Sequence, residues 1–392
     1  MAHYPYLILG GGMTADAAVR GIRELDASGS IGLVGAEAEP PYARPPLSKA
    51  LWKGEPIDSV WRKTDEAGVV LHLGRRATRL DLEGKRVFDD HGDRYSFDRL
   101  LLATGGTPRH LPFGGDHVIY FRTLEDYRRL RGLAERGKRF AVIGGGFIGS
   151  EIAAALALQG CEVAMLFPED GIGARLFPAD LARFLASYYR DHGVEVLPGQ
   201  KVTNVRASSS GVLVETESGS KRTVDAVVAG LGIVPSTELA SAAGIEVDDG
   251  ILVDEHLRTS RPDVFAAGDV ARFFAPALGA RVRVEHEDNA LAMGRAAGRA
   301  MAGDPALYAH LPFFYSDLFD LGYEAVGSMD PRGETVADWR EPFREGVVYY
   351  LSSGRVRGVL LWNVWGQVDA ARSLIAEPGP FRAEDLLGRL PF

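Results

Sequence analysis

Two glycine-rich turns, one near the start of the chain and one near its middle, constrain the fold more than any other feature. The first lies in YLILGGGMTADAAVRGI and the second in FAVIGGGFIGSEIAAAL, so each follows an apolar run and leads into helix-forming residues. A strand that turns on glycines into a helix begins a βαβ unit, whose helix N-terminus binds a pyrophosphate. The sequence therefore predicts two Rossmann-like units in one chain.

The spacing of the small residues makes each turn a dinucleotide fingerprint. The first glycine permits the tight turn, the second lets the backbone approach the pyrophosphate, and the third small residue lets the helix pack on the strand. One such turn is compatible with a purely structural role, whereas two complete fingerprints indicate two dinucleotides. The two spacings are Gly10-x-Gly12-x-x-Ala15 and Gly144-x-Gly146-x-x-Gly149.

An acidic residue follows each turn at the end of the next predicted strand. These residues are Glu37 and Glu169, which stand about 25 residues after their turns. A carboxylate at this position is suited to a pair of ribose hydroxyls. Asp170 also follows the second strand, and two negative charges there favour NADH over the extra phosphate of NADPH.

Composition excludes several classes of protein. The chain has 392 residues, a net charge of −9 and 46% hydrophobic residues, which is enough for two or three domains with sizeable cores. The negative charge argues against general affinity for nucleic acid or anionic membranes. The longest apolar runs are shorter than the roughly 18 residues of a membrane span. We expect a cytoplasmic protein.

The chain has a single cysteine, Cys161. It can form no disulfide within the chain, no Cys-x-x-Cys redox pair and no thiolate metal cluster. We expect it to be a buried, inert thiol, and we predict no metal site. Electrons that reach a cofactor in this protein must therefore leave it without a thiol relay.

Further motifs resemble those of a known family. LLATGGTPR (101–109) and TSRPDVFAAGDV (259–270) resemble motifs that flank the nucleotide crossover in FAD/NAD-linked reductases. PPYARPPLSKALW (40–52) resembles the flavin-contacting segment of apoptosis-inducing-factor-like proteins and oxygenase-coupled ferredoxin reductases. RVEHEDNALAMGRAAG, YSDLFDLGYEAVGSMD and LLWNVWGQVDAARSLI extend this resemblance over nearly the whole chain.

The resemblance implies how the chain is organised. The expected fold is α/β, with two Rossmann-like domains of the glutathione-reductase-like type and a small α+β C-terminal domain. FAD would bind at the first turn and NAD(H) at the second, so that the NAD domain is inserted into the FAD domain. The expected ranges are 1–112 and 247–315 for the FAD-binding domain, 113–246 for the NAD-binding domain and 316–392 for the C-terminal domain.

Matching positions imply two sets of contacts. Tyr315 stands where the vertebrate apoptotic protein has a tryptophan beside the flavin. The implied FAD contacts are Gly10, Gly12, Met13, Thr14, Ala15, Glu37, Arg44, Lys49, Ala77, Thr104, Gly105, Arg109, Gly268, Asp269, His286, Glu287 and Tyr315. The implied NAD(H) contacts are Gly144, Gly146, Phe147, Ile148, Gly149, Glu169, Arg175, Gly232, Glu285 and Glu324.

The catalytic residues implied by the resemblance are Lys49 and Glu151, as an ion pair at the flavin N5 edge. Both have simpler interpretations: Lys49 could be an ordinary exposed lysine, and Glu151 an acid favoured by the dipole in the first turn of its helix. Glu285 and His286 are expected to begin a later helix, whose N-terminus would stabilise negative charge on the flavin.

We expect an NADH-dependent FAD oxidoreductase that passes electrons to a ferredoxin-like carrier, a small acidic iron–sulfur protein. An NADH oxidase or quinone-type reductase, and an NADH redox sensor that forms a charge-transfer complex, are the alternatives. We expect no nucleic-acid or membrane partner, and a homodimer is compatible with the sequence. An acidic carrier needs a locally basic docking face, for which the candidates are Arg44, Arg109, Arg281, Arg283 and Arg372.

Overall fold

The computed structural model describes residues 2–392, which group into two compact units. Within the described residues, unit 1 comprises 2–44, 57–107 and 234–312, and unit 2 comprises 45–56, 108–233 and 313–392. The segment 45–56, expected in the FAD-binding domain, thus groups with unit 2. The domain ranges expected from the sequence are finer than this division and remain a prediction.

Helices and strands alternate around the two glycine turns, and elsewhere several strands follow one another without a helix between them. The helices are α1 (Met13–Arg23), α2 (Leu124–Leu133), α3 (Phe147–Leu158), α4 (Ala179–Asp191), α5 (Glu238–Ala242), α6 (Glu287–Met301), α7 (Val368–Ala376) and α8 (Ala383–Leu386). The strands are β1 (Ala2–Leu9), β2 (Ile31–Gly35), β3 (Val69–Leu73), β4 (Ala77–Asp81), β5 (Arg86–Asp89), β6 (Arg94–Leu102), β7 (Gly106–Pro108), β8 (Val118–Tyr120), β9 (Arg139–Ile143), β10 (Glu162–Leu166), β11 (Val194–Leu197), β12 (Val202–Ser208), β13 (Gly211–Thr216), β14 (Lys221–Val224), β15 (Ala226–Ala229), β16 (Ile233–Pro235), β17 (Val247–Asp248), β18 (Gly250–Leu252), β19 (Val264–Ala266), β20 (Ala271–Ala275), β21 (Ala280–Val282), β22 (Phe313–Leu318), β23 (Leu321–Gly327), β24 (Glu334–Glu341), β25 (Glu345–Ser352) and β26 (Arg355–Trp362).

The main sheet of unit 1 has the strand order β3-β2-β1-β6-β5-β4, with β19 also paired to β6. The pairs β2–β3, β1–β2, β1–β6 and β6–β19 are parallel, so the carboxyl ends of these strands lie at one edge of the sheet. Helices α1 and α6 pack backbone to backbone, because a Cβ on Gly298 would lie 2.0 Å from the carbonyl oxygen of Ala18.

The parallel sheet of unit 2 has the order β11-β10-β9-β15-β8. Its core is formed by apolar residues such as Ala141, Ile143 and Val227, which are at most 5% exposed. An antiparallel three-stranded sheet, β12-β13-β14, follows β11 in the chain. The two parallel sheets, each with a glycine turn after its central strand, confirm the predicted Rossmann-like architecture.

The last part of unit 2 is a five-stranded antiparallel sheet of order β22-β23-β26-β25-β24, against which α7 packs. The runs YEAVGSM, GVVYYLSS and RVRGVLLWN predict β23, β25 and β26, and QVDAARSLIA and AEDLLGRL predict α7 and α8, but no run predicts the outer strands β22 and β24. Helices α2 and α4 are also missing from the sequence-based expectation. Helix α2 is short and rich in arginine, so its apolar stripe consists of only a few residues.

Candidate functional site

The first glycine turn leaves an open cradle at the start of α1. Gly10 has a φ of +126°, and a Cβ on it would lie 2.0 Å from the carbonyl oxygen of Ala103, so no other residue fits there. Gly12 is the N-cap of α1; it provides no side chain to the first N–H groups, and no atom lies within 4 Å of its Cβ position. The helix that begins at Met13 therefore presents N–H groups beside open space, which fits a pyrophosphate.

The loop after β19 lies against the same turn. Gly268 has a φ of +76°, and a Cβ on it would lie 2.2 Å from the hydroxyl oxygen of Thr14. Its N–H donates to the sulfur of Met293 on α6 at 3.3 Å. Asp269 follows in a single 3-10 turn. The structure thus brings Thr14, Gly268 and Asp269 to one edge of the sheet, together with the fully buried Ala15.

Four other residues implied for FAD lie between the first glycine turn and the Gly268 loop in sequence. Thr104 and Gly105 follow β6, where the Thr104 hydroxyl donates to the carbonyl of Ser236 at 2.8 Å and the Gly105 carbonyl accepts from the Ser236 N–H at 3.0 Å. Ala77 begins β4 and pairs with β5. Arg109 lies in unit 2, where its N–H donates to the carbonyl of Gly232 at 2.9 Å.

Glu37 is held by two neighbours. The hydroxyl of Tyr42 donates to one carboxylate oxygen at 2.6 Å, and the guanidinium of Arg44 donates to the other at 2.5 Å. Arg44 also donates to the Tyr42 oxygen at 3.0 Å, and its N–H reaches the sulfur of Met13 at 3.4 Å. Glu37 remains 31% exposed, so a ribose can still reach it. Sequence reasoning missed Tyr42, whose signal is its place two residues before Arg44.

Helix α6 begins at Glu287 with His286 as its N-cap, so Glu285 precedes the helix and does not begin it. Glu285 accepts a hydrogen bond from Arg283 at 2.6 Å, and Arg283 also donates to the carbonyl of Asp269 at 3.2 Å. Glu285 lies in unit 1, whereas the other residues implied for NAD(H) lie in unit 2.

The second glycine turn has the same construction. Gly144 has a φ of +113°, and a Cβ on it would lie 2.4 Å from the carbonyl oxygen of Gly230. A Cβ on Gly149 would lie 2.0 Å from the carbonyl oxygen of Gly144. Gly146 is the N-cap of α3, offers no side-chain cap and has no atom within 4 Å of its Cβ position. Helix α3 then begins at Phe147, as the fingerprint requires.

Two more residues border this turn. The Cβ of Ile148 would lie 3.1 Å from a Cβ on Gly230. Gly232 has a φ of +80° and open space at its Cβ position. Both residues follow or face the carboxyl ends of β9 and β15, which is the edge where a parallel sheet binds its ligand.

Glu169 forms an ion pair with Arg175 at 2.5 Å. The Glu169 side chain is 24% exposed, whereas that of Arg175 is 86% exposed. The position of Glu169 is fixed by its carbonyl, which accepts from the N–H of Gly199 at 3.0 Å. The structure therefore places the Glu169 carboxylate beside the long, exposed side chain of Arg175 after β10.

Glu151 is the centre of a buried polar cluster. Its side chain is 3% exposed, and the ammonium of Lys49 lies 2.8 Å from one carboxylate oxygen. The hydroxyl of Ser316 donates to that same oxygen at 2.6 Å, and the hydroxyl of Ser48 donates to the other at 2.6 Å. Burial and the Glu151 charge raise the pKa of the neighbouring Tyr323. Sequence reasoning missed both serines. The only signal in the sequence is that Ser48 precedes Lys49 and Ser316 follows Tyr315.

Two simpler interpretations of this pair are wrong. The side chain of Lys49 is only 12% exposed, so it is not an ordinary surface lysine. Glu151 is the fifth residue of α3, which begins at Phe147, and the first turn of α3 contains no acid. The helix dipole, which acts within the first turn, therefore does not explain the acid at this position.

Tyr315 and Glu324 are directly opposite each other on β22 and β23, so their side chains lie on the same face of the sheet. The ammonium of Lys49 lies 5.4 Å from the centre of the Tyr315 ring. The N–H of Gly366 donates to Glu324 at 3.3 Å, yet burial raises the pKa of that carboxyl. The structure thus joins Lys49, Tyr315 and Glu324 in unit 2.

The segment 45–56 is attached to unit 2 by more than Lys49. The indole of Trp52 packs edge-on against Tyr127 of α2, with ring centres 5.7 Å apart. Its carbonyl accepts from the side chain of Gln159 at 3.0 Å. These contacts come from residues far apart in sequence, which explains why the segment was expected elsewhere.

The arginines expected to dock a carrier are mostly engaged within the protein. Arg44 and Arg372 form ion pairs with acidic neighbours, and Arg283 pairs with two. Arg281 donates to a backbone carbonyl at 2.9 Å. Arg44, Arg281 and Arg283 lie in unit 1, whereas Arg109 and Arg372 lie in unit 2.

Cys161 is buried, and its sulfur lies 3.4 Å from the carbonyl oxygen of Glu135. Burial raises the pKa of this thiol, so the reactive thiolate is disfavoured. Over residues 2–392, no cluster of acidic, histidine or cysteine side chains is arranged to hold a metal ion, and no helix is both long and apolar enough to cross a membrane.

Comparison with known proteins places these features in a family. The model of the pyridine nucleotide-disulphide oxidoreductase family matches residues 4–294. A second family model, described as the C-terminal part of mitochondrion-associated apoptosis-inducing factor, matches residues 337–377.

Individual relatives resemble the chain over nearly its full length. The ferredoxin–NAD(+) reductase component of the anthranilate 1,2-dioxygenase system of Burkholderia cepacia is 36% identical over 391 residues, covering 96% of this chain and 95% of that protein. Mitochondrial apoptosis-inducing factor 1 of Dictyostelium discoideum is 33% identical, covering 95% of this chain and 78% of that protein.

A solved structure extends the likeness to three dimensions. The covalent putidaredoxin reductase–putidaredoxin complex contains a chain that superimposes with a TM-score of 0.91 at 31% identity, covering 98% of this chain and 95% of that one. The family assignment agrees with the two glycine turns and with the buried pair of Lys49 and Glu151. It also agrees with sequence matches over most of the chain. The chain is an FAD-containing, NAD(H)-dependent oxidoreductase and belongs to the pyridine nucleotide-disulphide oxidoreductase family.

Proposed function

We propose that this protein takes electrons from NADH and delivers them to a small, acidic, ferredoxin-like carrier protein. The observation that carries the proposal is the end-to-end likeness to the Burkholderia ferredoxin–NAD(+) reductase component. The likeness to the reductase in the putidaredoxin complex supports the same acceptor class.

The burial of the single cysteine limits the classes of electron acceptor that this protein can use. Members of a disulphide oxidoreductase family can pass electrons to a pair of thiols, but this chain has only Cys161. Burial raises the pKa of that thiol and disfavours the thiolate, so Cys161 cannot relay electrons from the flavin. Electrons therefore leave the cofactor directly for an external acceptor, which suits a carrier protein.

Unit 1 supplies the residues that would hold FAD. The N-terminus of α1 and the open space beside Gly12 fit the pyrophosphate, and Glu37, oriented by Tyr42 and Arg44, fits a ribose. When bound, FAD supplies a two-electron acceptor that can pass electrons on singly. Asp269 follows Gly268, which lies against Thr14, and we assign Asp269 to the ribityl chain because the resemblance implies that contact.

Unit 2 supplies the residues that would hold NADH. The N-terminus of α3 beside Gly146 fits the pyrophosphate, and Glu169 at the end of β10 fits the ribose hydroxyls. Glu324 lies across from Tyr315 and is partly buried, which suits a hydrogen bond to a neutral amide. These residues orient the nicotinamide, because hydride transfer needs reacting atoms about 3–3.5 Å apart.

Lys49 is the residue that we assign to tuning the flavin. Its ammonium is fixed between Glu151 and the face of Tyr315, so it can adopt few other positions. A fixed positive charge stabilises negative charge that develops on a neighbouring ring. Glu151 does not touch the substrate in this proposal; it positions Lys49.

The test is a steady-state screen of NADH turnover with acidic 2Fe–2S ferredoxins, rubredoxins, quinones and oxygen. We expect one ferredoxin to raise NADH oxidation at least tenfold above the oxygen rate at low salt. If only quinones or oxygen support turnover, the carrier function fails and the oxidase or quinone-reductase alternative replaces it.

A redox sensor is the second candidate, and a specific observation favours it. Residues 337–377 match the C-terminal model of apoptosis-inducing factor, and the Dictyostelium relative covers nearly the whole chain. Stopped-flow reduction by NADH, followed by mixing with oxidised ferredoxin in one arm and with air in the other, distinguishes the two. Rapid reoxidation by a ferredoxin supports the reductase, whereas a long-lived charge-transfer band with a change in oligomeric state supports the sensor.

The cytoplasmic location and the homodimer expected from the sequence are part of this proposal. Cell fractionation tests the first, and light scattering of the holoprotein with and without NADH tests the second.

A further inference from the structure

Helix α2 and its flanking residues concentrate positive charge in an acidic protein. The stretch from Arg122 to Arg139 has seven basic and three acidic residues, although the whole chain has a net charge of −9. The helix is amphipathic: Leu124, Tyr127 and Leu130 are buried. The exposed face carries Arg128, Arg129 and Arg131.

Two of the three arginines on this face donate to uncharged acceptors. Arg129 donates to the backbone carbonyl of Asp116 at 2.6 Å, and Arg131 donates to the neutral side chain of Gln159 at 2.6 Å. Arg128 is 3.9 Å from the exposed carboxylate of Glu125, a distance at which an exposed pair contributes little. By contrast, the exposed Arg332 has a close two-point contact with a carboxylate, at 2.8 and 2.9 Å.

Exposed apolar side chains border the arginines. Leu133 at the end of α2 is 42% exposed, and Leu158 at the end of α3 is 57% exposed. The two helix ends are adjacent, because the N–H of Gly137 donates to the carbonyl of Gly160 at 2.9 Å and Arg131 bonds Gln159. Arginine next to apolar side chains is typical of protein interfaces.

This surface is close to the residue that we assign to the flavin. The guanidinium of Arg131 lies 5.2 Å from the centre of the Trp52 ring. The N–H of Trp52 donates to the carbonyl of Lys49 at 3.0 Å. The buried ring of Trp52 therefore lies between the exposed face of α2 and the short segment that carries Lys49.

We propose that the exposed face of α2, together with Arg136 and Leu158, is the docking surface for the acidic electron carrier. The inference rests on the proposed function and names a different surface from the arginines that the sequence suggested. Charge complementarity speeds the encounter, and the apolar residues give the complex its packed centre. A carrier protein fits better than a nucleic acid or a membrane because exposed leucines lie among the arginines, next to the Lys49 segment.

The experiment uses the holoprotein and the acidic 2Fe–2S ferredoxin with the highest turnover in the screen. In the test variant, Arg128→Glu and Arg129→Glu are combined, since neither side chain packs on Trp52. Arg332→Glu is the control for a single charge reversal, because Arg332 is exposed and lies in the same unit, and it is compared with Arg128→Glu and Arg129→Glu made singly as well as together. Ferricyanide reduction and flavin reduction by NADH report the chemistry without docking.

We expect the double variant to lower kcat/KM for the ferredoxin at least tenfold at low salt and to flatten its salt dependence. Ferricyanide and NADH rates should stay within twofold, and R332E should match the wild type. Unchanged ferredoxin turnover in the double variant overturns the docking surface while leaving the proposed function intact.

Two other outcomes overturn the inference differently. If the wild type reduces no carrier at any salt concentration, the proposed function fails and the docking surface fails with it. If the wild type binds duplex DNA or phosphatidylserine vesicles through these arginines and ferredoxin turnover does not depend on them, the surface belongs to that ligand.

Discussion

The glycine turns of the two units have almost the same backbone and different surroundings. The N-cap glycines have φ and ψ of −96° and −170° in unit 1 and −87° and −166° in unit 2. In both turns the first glycine lies against a carbonyl from the neighbouring strand. The shared backbone suits the shared chemical group, a pyrophosphate. What distinguishes the two dinucleotides must come from the side chains.

The acids that follow the turns differ in their partners. Glu37 is fixed by a tyrosine and by an arginine that is 25% exposed, whereas Glu169 is paired with an arginine that is 86% exposed. A cofactor that stays bound tolerates a rigid, enclosed site. A cofactor that enters and leaves in each cycle needs an accessible one.

Each helix after a glycine turn also carries a buried carboxylate. Asp16 on α1 is fully buried, and its carboxylate accepts hydrogen bonds of 2.6–3.1 Å from Arg20, Arg62 and Thr64. The carboxylate of Glu151 on α3 instead pairs with one lysine and accepts hydrogen bonds from two serines. Guanidinium groups are always charged and suit a structural bond, whereas a lysine ammonium is a compact point charge that can act on a neighbouring group. The comparison suggests that Asp16 stabilises its unit and that Glu151 serves the reaction.

The largest effects should come from the first glycine of each turn. We expect Gly10→Ala to abolish FAD retention and to compromise folding, because the new Cβ would lie 2.0 Å from a backbone oxygen. Gly144→Ala should leave the protein yellow and raise the KM for NADH about 100-fold, equal to about 2.7 kcal/mol. Absorbance of bound flavin and steady-state kinetics measure the two outcomes.

Gly132→Ala is the matched control, because Gly132 lies in α2 with no atom within 4 Å of its Cβ position. This substitution should stabilise the protein by about 0.5 kcal/mol and leave NADH kinetics unchanged. A G144A protein with the wild-type KM would show that the second turn does not hold the nicotinamide dinucleotide.

The buried carboxylates give the next largest effects. We expect Glu151→Gln to slow flavin reduction by NADH about 10- to 100-fold, since the charge-assisted bond that holds Lys49 is lost. Ser316→Ala should slow flavin reduction by less, because one donor to the carboxylate is removed.

Asp16→Asn should instead lower the free energy of unfolding by about 3 kcal/mol, with flavin reduction retained in the folded protein. Stopped-flow absorbance and urea unfolding separate the two roles, and an E151Q protein with the wild-type reduction rate would make Glu151 purely structural.

The acids after the strands should shift coenzyme preference by a smaller amount. The wild type is expected to prefer NADH, because Glu169 repels a 2′-phosphate. Glu169→Gln frees Arg175, whose guanidinium is 2.5 Å away, so the preference should shift about tenfold toward NADPH. Glu37→Gln is the control and should leave the preference unchanged while weakening FAD retention. An unchanged kcat/KM ratio in E169Q would contradict the assignment of Glu169 to the ribose.

The smallest effect should come from Cys161→Ser. The thiol is buried and its sulfur makes a single long contact with a carbonyl, so we expect turnover within twofold of the wild type. The serine hydroxyl can donate to the same carbonyl, so we expect little loss of stability. A loss of turnover with flavin and fold retained would reopen thiol chemistry in this protein.

Local patterns predicted the glycine turns, the acids after the strands and most of both parallel sheets. These features depend on neighbouring residues: a run of apolar residues, a required positive φ, a helix that starts at a known place. The cluster around Glu151 could not be predicted in the same way. Ser48 is 103 residues and Ser316 is 165 residues away from Glu151 in sequence, and each is an unremarkable serine until the chain is folded.

The helix α2 was missed for a related reason. Three buried side chains in a ten-residue arginine-rich stretch give little periodic signal, even though Thr123 and Asp126 form a capping box at its start. The apolar positions become meaningful only when Trp52 packs against Tyr127. Tertiary contacts of this kind also decide that residues 45–56 group with unit 2.

The backbone contact between α1 and α6 has a consequence for synthesis of the protein on the ribosome. Helix α1 ends at Arg23, but its glycine-containing partner surface is complete only at Met301. At bacterial and eukaryotic elongation rates, this interval lasts on the order of 15–60 s, during which the apolar face of α1 has no native partner. We expect nascent chains that end before α6 to be protease-sensitive in their first hundred residues and unable to bind FAD. Chaperone protection should therefore matter most in that interval, and a ribosome-bound chain that already retains flavin when stalled before residue 234 would contradict this.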